Sequence, residues 1–494
     1  MHGLREISLQ LDTPHMQISF SKPAKMIHCS FLPRDLKQGT ASSALFEPQD
    51  QGFRFLPDQT ADQNTKILRG RLLSFSAVAR GPEDTSAYSY EEDGALLVRD
   101  GKIVAKGVFS EIRDAAPETA EITDHRPHLI LPGFIDTHIH FPQAEIIASW
   151  ADQLLDWLND YTFPTELKFE NKAHGKRIAG EFYDALIAHG TTTAVAYCSS
   201  HPNSVDAYFE EAETRGMLML GGKTMMDRNA PEALCDTAQS SYDDSKALLA
   251  KWHGRGRAHY VITPRFAITS TPEQLEAAGT LLKEQPDCHL QTHINENHNE
   301  IAFTRELYPD AGHYLGVYES FGLLGPRTLL GHCIHMTGHE MQVMRETGSV
   351  AVFCPTSNLF LGSGLFDKAG MESAGIPTAI ATDVGGGTSY SMLRTLDEGY
   401  KILQLQRQRM HPLTSFYWVT LGNANALSMS DRIGTLEPGT DADLVVLDAK
   451  ATPPMALRME TVETLSEELF ILQTLGDDRA VAETYVAGER QKTG

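Results

Sequence analysis

Two histidines stand one residue apart at the end of an apolar run, LPGFIDTHIH at residues 131–140. On a β-strand, residues two apart point to the same face, so His138 and His140 project together. Two imidazoles on one face can bind a common metal ion. An isolated H-x-H motif is, however, also typical of ordinary polar histidines near a loop, so this motif alone leaves both interpretations open.

Other apolar runs end in the same way. THINEN supplies His293 and then Glu296, GHCIH supplies His332, and ATDVGGG supplies Asp383. Taken alone, these residues have plain explanations: His293 as a core histidine, Glu296 as a solvated loop acid, and Asp383 as a turn former before glycines. Their joint occurrence after strand-like runs favours a metal site, because parallel barrel strands bring their carboxyl ends together at one face.

The donor types define the chemistry of such a site. Three imidazoles and a carboxylate suit Zn²⁺ or Fe²⁺ and do not distinguish the two ions. On zinc, the pKa of a bound water falls from about 16 to about 7, so hydroxide forms at neutral pH. Glu296 and His332 are the candidates for the base that takes the proton. Asp136, one step deeper than His138, either holds a ligand imidazole or is satisfied structurally.

The elements that must position these residues follow from periodicity. Between residues 131 and 431, apolar β-rich runs alternate with helical stretches such as KRIAGEFYDALIAHG and TPEQLEAAGTLLKEQ. The runs are HLILPGFIDTHIH, TTTAVAYC, MLMLGG, HYVITPRFAI, CHLQTHIN, TLLGH, SVAVFC and PTAIATD. Eight βα units predict an α/β fold, a (β/α)8 TIM-type barrel whose site lies at the carboxyl ends of the strands.

The two ends of the chain have a different pattern. Residues 65–130 contain short strand-like runs with a hairpin at Asp100-Gly101, and residues 432–494 contain similar runs. We therefore predict one small β-sandwich-like domain built from both chain ends, with the barrel inserted in it. Residues 1–64 have no sustained period and are expected to be an ill-ordered or loosely attached extension.

Composition excludes several classes of protein. The 494 residues include 42 Lys plus Arg against 65 Asp plus Glu, a formal net charge of −23 without charged blocks. Nucleic acid and anionic membranes are therefore not expected partners. Six cysteines occur singly, as is typical of reduced thiols, and the N-terminus has no apolar signal-like segment. We expect a soluble cytoplasmic protein.

The motifs together resemble a known family. PGFIDTHIH with the later histidines and aspartate is similar to the amidohydrolase superfamily. GRLLSFS, HIHFPQ, TPRFAITST, THINEN, CPTSNLFLGSG and TDVGGGTSYSMLRT resemble its guanine deaminase branch, from about residue 66 to the C-terminus. The resemblance implies hydrolysis of guanine to xanthine and ammonia in purine catabolism or salvage. It also implies one zinc ion per chain and a homodimer.

Carried over position by position, the resemblance implies a role for each site residue. The implied metal ligands are His138, His140, His293 and Asp383. Glu296 is the implied proton shuttle and His332 helps to activate the water, so the catalytic set is Glu296, His332 and Asp383. The fourth strand-like run, HYVITPRF, lacks the lysine that related two-metal enzymes use, which favours a single metal.

The implied purine contacts are Gln143, Arg265 and Phe266, together with His332. Arg265 offers only donors, so it suits the ring carbonyl of guanine better than the amino group of adenine. A site built on such a bond rejects the wrong analogue by roughly 10⁴. Phe266 either stacks on the purine or packs in the core, and Gln143 either reads a ring edge or lies in solvent.

Two other functions stay open. A related single-metal enzyme would deaminate or hydrolyse cytosine, a triazine or a pterin, and ammonia release from parallel incubations separates these substrates. A barrel retained as a binding scaffold would hold little metal and release no ammonia. The HNE motif at residues 298–300 matches half of the small zinc deaminase signature, but P-C-x-x-C is absent, which excludes that family.

Overall fold

The structure of the chain is a computed structural model that describes residues 65–151 and 153–492. The predicted N-terminal extension, residues 1–64, lies outside the described residues. Within the described ranges, no helix combines the length and the apolar character that crossing a bilayer requires.

Fifteen strands lie in the described part of the chain. They are β1 (Thr65–Phe75), β2 (Tyr88–Arg99), β3 (Lys102–Val108), β4 (Glu121–Pro132), β5 (Phe134–His140), β6 (Thr191–Cys198), β7 (Leu218–Met225), β8 (Ala258–Pro264), β9 (His289–Ile294), β10 (Thr328–His332), β11 (Val350–Phe353), β12 (Thr378–Ile380), β13 (Leu444–Leu447), β14 (Val481–Val486) and β15 (Glu489–Arg490).

Seventeen α-helical segments accompany the strands in the described ranges, some only one turn long. They are α1 (Phe109–Ala115), α2 (Leu154–Trp157), α3 (Phe163–Glu166), α4 (Lys172–Ala188), α5 (Pro202–Arg215), α6 (Ala238–Trp252), α7 (Pro272–Glu284), α8 (His298–Leu307), α9 (Tyr314–Ser320), α10 (Gly338–Thr347), α11 (Pro355–Phe360), α12 (Lys368–Ser373), α13 (Met392–Leu405), α14 (Pro412–Tyr417), α15 (Asn423–Ala426), α16 (Pro453–Met459) and α17 (Leu465–Leu475). Two π-helical turns, Leu158–Thr162 and Trp418–Gly422, join α2 to α3 and α14 to α15.

The strands β5 to β12 form one parallel sheet in chain order, which confirms the predicted barrel of eight βα units. All residues of β5 and β6 are buried, as expected where helices cover the outside of a barrel and side chains fill its inside. The predicted helical stretches are α4 and α7. Helix α7 begins at Pro272 because Thr271 caps it, accepting from the Gln274 N–H at 3.3 Å.

The barrel closes between its first and last strands. The Asp383 N–H donates to the His138 carbonyl at 2.9 Å, and the His140 N–H donates to the Val384 carbonyl at 2.8 Å. The side-chain amide of Asn423 donates to one carbonyl on each strand, at 2.7 and 2.8 Å. The predicted metal ligands of β5 and β12 are thus part of the hydrogen bonding that closes the barrel.

A second sheet joins the two ends of the chain, as predicted. Its seven strands have the order β15-β14-β13-β4-β1-β2-β3, and β13 pairs antiparallel with β4. The limits given above for the two domains, 65–130 with 432–494 and 131–431, stay predictions.

The first predicted run, HLILPGFIDTHIH, is two strands rather than one. Its first half ends β4 in the second sheet, and its second half is β5 of the barrel. The break falls at Gly133, where a Cβ would lie 2.5 Å from Cγ2 of Thr192, and the preceding Pro132 has no N–H to donate. The chain therefore passes directly from the second sheet into the strand that carries His138 and His140.

Candidate metal centre and active site

Five of the predicted polar residues meet at the carboxyl ends of the barrel strands. His138 and His140 lie at the end of β5, His293 near the end of β9, His332 at the end of β10, and Asp383 after β12. His332 and Asp383 have φ angles of 74° and 52°, a left-handed conformation that non-glycine residues rarely adopt. Such backbone strain is often found at functional sites.

The donor atoms of the predicted ligands are close to one another. Asp383 Oδ1 lies 3.4 Å from His138 Nε2 and 3.2 Å from His140 Nε2. His293 Nε2 lies 3.2 Å from His140 Nε2. Four donors that each bind one ion tetrahedrally at about 2.1 Å are about 3.4 Å apart, and these three distances match that value.

The hydrogen bonding of the imidazoles also fits a metal ion. His293 Nδ1 faces the Arg265 carbonyl oxygen at 2.7 Å, so Nδ1 carries the proton and the Nε2 lone pair points toward His140. Both ring nitrogens of His138 and Nδ1 of His140 are buried without a hydrogen-bond partner among the described residues. A buried polar atom left unpaired costs about 1–3 kcal/mol. An ion coordinated between the Nε2 atoms and Asp383 would offset that cost at His138 Nε2.

Burial sets the protonation of these groups. It lowers the pKa of His140 to about 4 and that of His293 well below its ordinary value, so both imidazoles are neutral at pH 7 and free to coordinate. Burial also acts to raise the pKa of Asp383, but the adjacent imidazoles of His138 and His140 outweigh it and hold that pKa well below its ordinary value. His140 and His293 therefore offer neutral imidazoles, and Asp383 offers a carboxylate.

Asp136 supports the centre through the backbone. Its carboxylate accepts from the N–H of His138 at 3.3 Å and from the N–H of Thr382 at 3.1 Å, and the Thr382 hydroxyl also donates to it. Asp136 therefore links β5 to the segment after β12. Of the two roles considered for it, these contacts favour structural satisfaction.

Glu296 and His332 lie side by side next to the predicted ligands. Glu296 Oε2 is 3.3 Å from His332 Nε2, and Glu296 Oε1 accepts from the Ser363 hydroxyl at 2.9 Å. On the other side of its ring, His332 Nδ1 is 3.0 Å from Asn358 Oδ1. Burial, and then the charge of Asp383, raises the pKa of Glu296 to about 8, so this carboxyl can hold and release a proton near neutral pH.

Arg265 and Gln143 are joined by a residue that the sequence did not reveal. Glu166, at the end of α3 and only 1% exposed, pairs with Arg265 Nη1 at 2.9 and 3.0 Å. It also accepts from Gln143 Nε2 at 3.1 Å, which leaves the amide oxygen of Gln143 buried without a partner among the described residues. This side of the site therefore offers guanidinium donors and one amide acceptor.

Phe266 belongs to an apolar cluster and also lines the cavity. It is buried, and its ring lies 6.3 Å from the His293 ring at an interplanar angle of 68°. Its cluster includes Leu154, Trp157 and Leu361, none of which the sequence predicted to be near the site. Phe266 can therefore pack in the apolar cluster and also contact a purine ring bound in the cavity.

One cavity brings these parts together. The residues predicted for the site that line it are His140, Gln143, Arg265, Phe266, His293, Glu296, His332 and Asp383. Leu154 and Trp157 of α2 and Leu158 of the following π-helical turn also line it. π-helical turns are frequent at functional sites, and this one gives the cavity an apolar side.

Tyr197 is a further neighbour that the sequence analysis missed. It lies next to the end of β6, and its ring stacks on His140 with centroids 4.5 Å apart and an interplanar angle of 25°. Its position in the sequence could have indicated it, because Tyr197, like the site histidines, is a polar residue near the carboxyl end of a predicted barrel strand.

The chain resembles known proteins along most of its length. The amidohydrolase family model matches residues 129–490. The guanine deaminase of Escherichia coli strain K12 is 44% identical over 430 residues, covering 87% of this chain and 98% of that protein. A solved structure of E. coli guanine deaminase has a TM-score of 0.85 at 45% identity and covers 86% of this chain and 99% of that chain. A guanine deaminase from C. acetobutylicum, solved with guanine bound in the active site, has a TM-score of 0.77 at 29% identity over 86% of this chain and 100% of that one.

Proposed function

We infer, from the premise that the chain belongs to the amidohydrolase family, that it hydrolyses guanine to xanthine and ammonia. The observation that carries this proposal is that one cavity is lined both by three of the proposed metal ligands, His140, His293 and Asp383, and by Arg265 and Gln143. Outside this lining, Glu166 joins Arg265 to Gln143 by hydrogen bonds. Kinship with guanine deaminases along nearly their whole length supports it. The family resemblance also implies a homodimer, and the composition predicts a cytoplasmic protein; both statements stay predictions.

We propose that His138, His140, His293 and Asp383 hold one divalent ion per chain. Zn²⁺ is the first choice and Fe²⁺ has the same donor preferences, so metal analysis of the purified protein must decide between them. When bound, such an ion lowers the pKa of a coordinated water from about 16 to about 7.

Glu296 then carries protons between the water and the purine. As the water oxygen bonds to the ring carbon that bears the exocyclic amine, Glu296 takes a proton from the water and gives it to the adjacent ring nitrogen. As the bond from carbon to the amine breaks, Glu296 carries the second proton of the former water from the added oxygen to the amine, which leaves as ammonia while the carbon–oxygen bond becomes a carbonyl. The contacts of Glu296 with Ser363 and His332 support this role because they fix both carboxylate oxygens.

Arg265 and Gln143 supply the selection of guanine. The guanidinium of Arg265 donates to the ring carbonyl, and the free amide oxygen of Gln143 accepts from an N–H of the purine edge. Glu166 fixes both side chains, since its carboxylate accepts from each of them. Adenine presents an amino group in place of the carbonyl, so Arg265 would face another donor. Such a mismatch can favour guanine over adenine by roughly 10⁴ in kcat/KM.

The test is ammonia release from guanine, adenine and cytosine, measured in parallel on protein of known metal content. We expect turnover of guanine, far slower turnover of adenine, and one metal ion per chain. Turnover of cytosine without turnover of guanine would replace this proposal by the related ring deaminase. Protein with little metal and no ammonia release from any substrate would favour the binding scaffold.

A further inference from the structure

Glu300 is a buried carboxylate next to the site that the proposed proton transfers do not use. It lies in the first turn of α8 and its side chain is fully buried. Its Oε2 accepts from the backbone N–H of Glu296 at 2.8 Å and from that of Asn297 at 3.0 Å, while its Oε1 accepts from the Tyr314 hydroxyl at 2.7 Å. Every oxygen of Glu300 is therefore engaged, and one partner is the backbone of Glu296.

The loop that carries Glu296 has only three residues, 295–297, between β9 and α8, and each is held. Asn295 has a φ of 50°, and its side-chain amide donates to Glu340 Oε1 at 3.1 Å. Asn297 caps α8 by accepting from the Asn299 N–H at 2.8 Å. Glu296 lies between these two asparagines, and its own N–H donates to Glu300. The backbone of Glu296 is therefore constrained at its own N–H and at both neighbouring residues.

Helix capping alone does not explain why Glu300 is buried. In α17, Glu467 makes the same pair of bonds from an exposed position, accepting from the N–H groups of Glu463 and Thr464 at 3.1 Å each. Burying a carboxylate costs free energy, and here burial and the nearby charge of Glu296 raise the pKa of Glu300 to about 7. A cap on the surface would avoid that cost.

We propose that Glu300 is a positioning residue, which fixes the backbone of Glu296 so that the Glu296 carboxylate stays beside Ser363 and His332. This inference rests on the proposed function, in which Glu296 moves the protons. Reacting groups must meet within a fraction of an ångström, and a displacement of about 1 Å costs about a hundredfold in rate. The histidine and glutamate of the HNE motif thus belong to a helix start rather than to a second type of zinc site.

The test compares Glu300→Ala, Glu300→Gln and Glu467→Ala for kcat and KM on guanine, bound metal and Tm. Glu300→Ala should lower kcat by roughly ten- to a hundredfold with KM and metal content retained, because the shuttle is misplaced while the ligands are not. Glu300→Gln should keep most of kcat, since its amide oxygen still accepts from both N–H groups. Glu467→Ala removes the corresponding hydrogen bonds at the start of α17, so it should lower Tm and leave kcat at the wild-type value.

Wild-type kcat in a metal-loaded Glu300→Ala protein would overturn the inference, as would an equal loss of kcat in Glu467→Ala. If Glu300→Ala does not fold, Tyr314→Phe decides: it removes one bond to Glu300 and should lower kcat several-fold, whereas a wild-type kcat overturns the inference. Failure of the proposed function looks different, because the wild-type protein itself would then not turn over guanine.

Discussion

The two ends of the barrel contrast sharply in how their polar groups are satisfied. At the carboxyl ends of the strands, imidazole nitrogens of His138 and His140 are buried without partners among the described residues. At the amino ends, His289 donates from Nε2 to the Leu427 carbonyl at 2.9 Å. The barrel interior near that end is filled by apolar side chains, among them Ile135, Val195, Leu218, Leu220, Val261, Leu329, Val350 and Val352.

Strand β9 shows the contrast within six residues. His289 begins the strand and is paired with a carbonyl, whereas His293, near its end, has its Nε2 against another imidazole nitrogen. The same residue type is structural in one place and chemically available in the other. The amino ends therefore contribute to the free energy of folding, and the carboxyl ends keep unpaired imidazole nitrogens where we propose that an ion binds.

The amino ends are also tied to the second sheet by charge. Arg257, just before β8, pairs with Asp443 through Nη1 at 3.1 Å and with Asp441 through Nη2 at 3.0 Å. Both carboxylates are buried just before β13. Breaking such a buried pair typically costs 3–5 kcal/mol, so changes here act on stability.

The largest expected effect is at the carboxyl end. Glu296→Gln should lower kcat for guanine by about 10²–10⁴, because the amide cannot accept the proton from water, with metal content and Tm near the wild-type values. Steady-state kinetics together with metal analysis checks this. A variant that runs at the wild-type rate would show that another group moves the proton.

A substitution in the core at the amino ends of the barrel strands should lower stability and leave kcat unchanged. Leu329 of β10 is fully buried three residues before His332, and Leu329→Ala should lower the free energy of unfolding by about 2–5 kcal/mol. Urea unfolding measures that loss, and kcat measured where the variant is folded should equal that of the wild type. A large fall in kcat would mean that the two ends are not separable.

Glu166→Gln tests the substrate side of the carboxyl end. The variant leaves Arg265 without its charged partner, so kcat/KM for guanine should fall by about a hundredfold, which corresponds to about 2.7 kcal/mol. The ratio of guanine to adenine turnover should fall with it. An unchanged ratio would assign selectivity to residues other than Arg265 and Gln143.

Removal of metal should lower Tm only in proteins that keep all the proposed metal ligands at the carboxyl ends of the barrel strands. A ligand present at a hundred times its Kd stabilises a fold by about 2.7 kcal/mol, so a chelator should lower the Tm of the wild type measurably. His140→Ala, which removes one proposed ligand, should have a Tm that hardly responds to chelator. Equal responses in both proteins would place the stabilising metal elsewhere.

The last expected effect is the dependence of stability on pH that His289 contributes. Burial lowers its pKa to about 4, so the unfolded chain binds a proton near pH 6.5 that the folded chain does not. Its contribution to stability is complete above pH 6.5 and falls by about 1.4 kcal/mol for each unit below it, down to about pH 4. His289→Gln should reduce the slope of unfolding free energy against pH in this range, and an unchanged slope would contradict this account.

Much of the fold and the clustering of the polar residues followed from the sequence. The runs TTTAVAYC and TLLGH match β6 and β10 to the residue, because fully buried parallel strands are continuous apolar runs. His293, Glu296, His332 and Asp383 were found since each follows such a run. The rule that barrel strands end at a common face then brings them together.

The rest depended on contacts between distant segments. Glu166 lies in a helical stretch without a motif, and its partner Arg265 is 99 residues away, so only the folded chain brings them together. The break at Gly133 was not predicted because both halves of HLILPGFIDTHIH have the character of a strand, and only their pairing in two different sheets separates them. The proposed role of Glu300 was not predicted for a different reason: two of its three partners are nearby backbone N–H groups, which no side-chain pattern in the sequence marks.

The most direct test of the central claim is a crystal structure of the metal-loaded protein with anomalous diffraction at the edge of the metal found by analysis. We predict one ion at full occupancy, with donor atoms of His138, His140, His293 and Asp383 each about 2.0–2.2 Å from it. An ion bound elsewhere, or any of these four donors too far away to coordinate it, would contradict the claim that residues spread over the barrel strands share one cation.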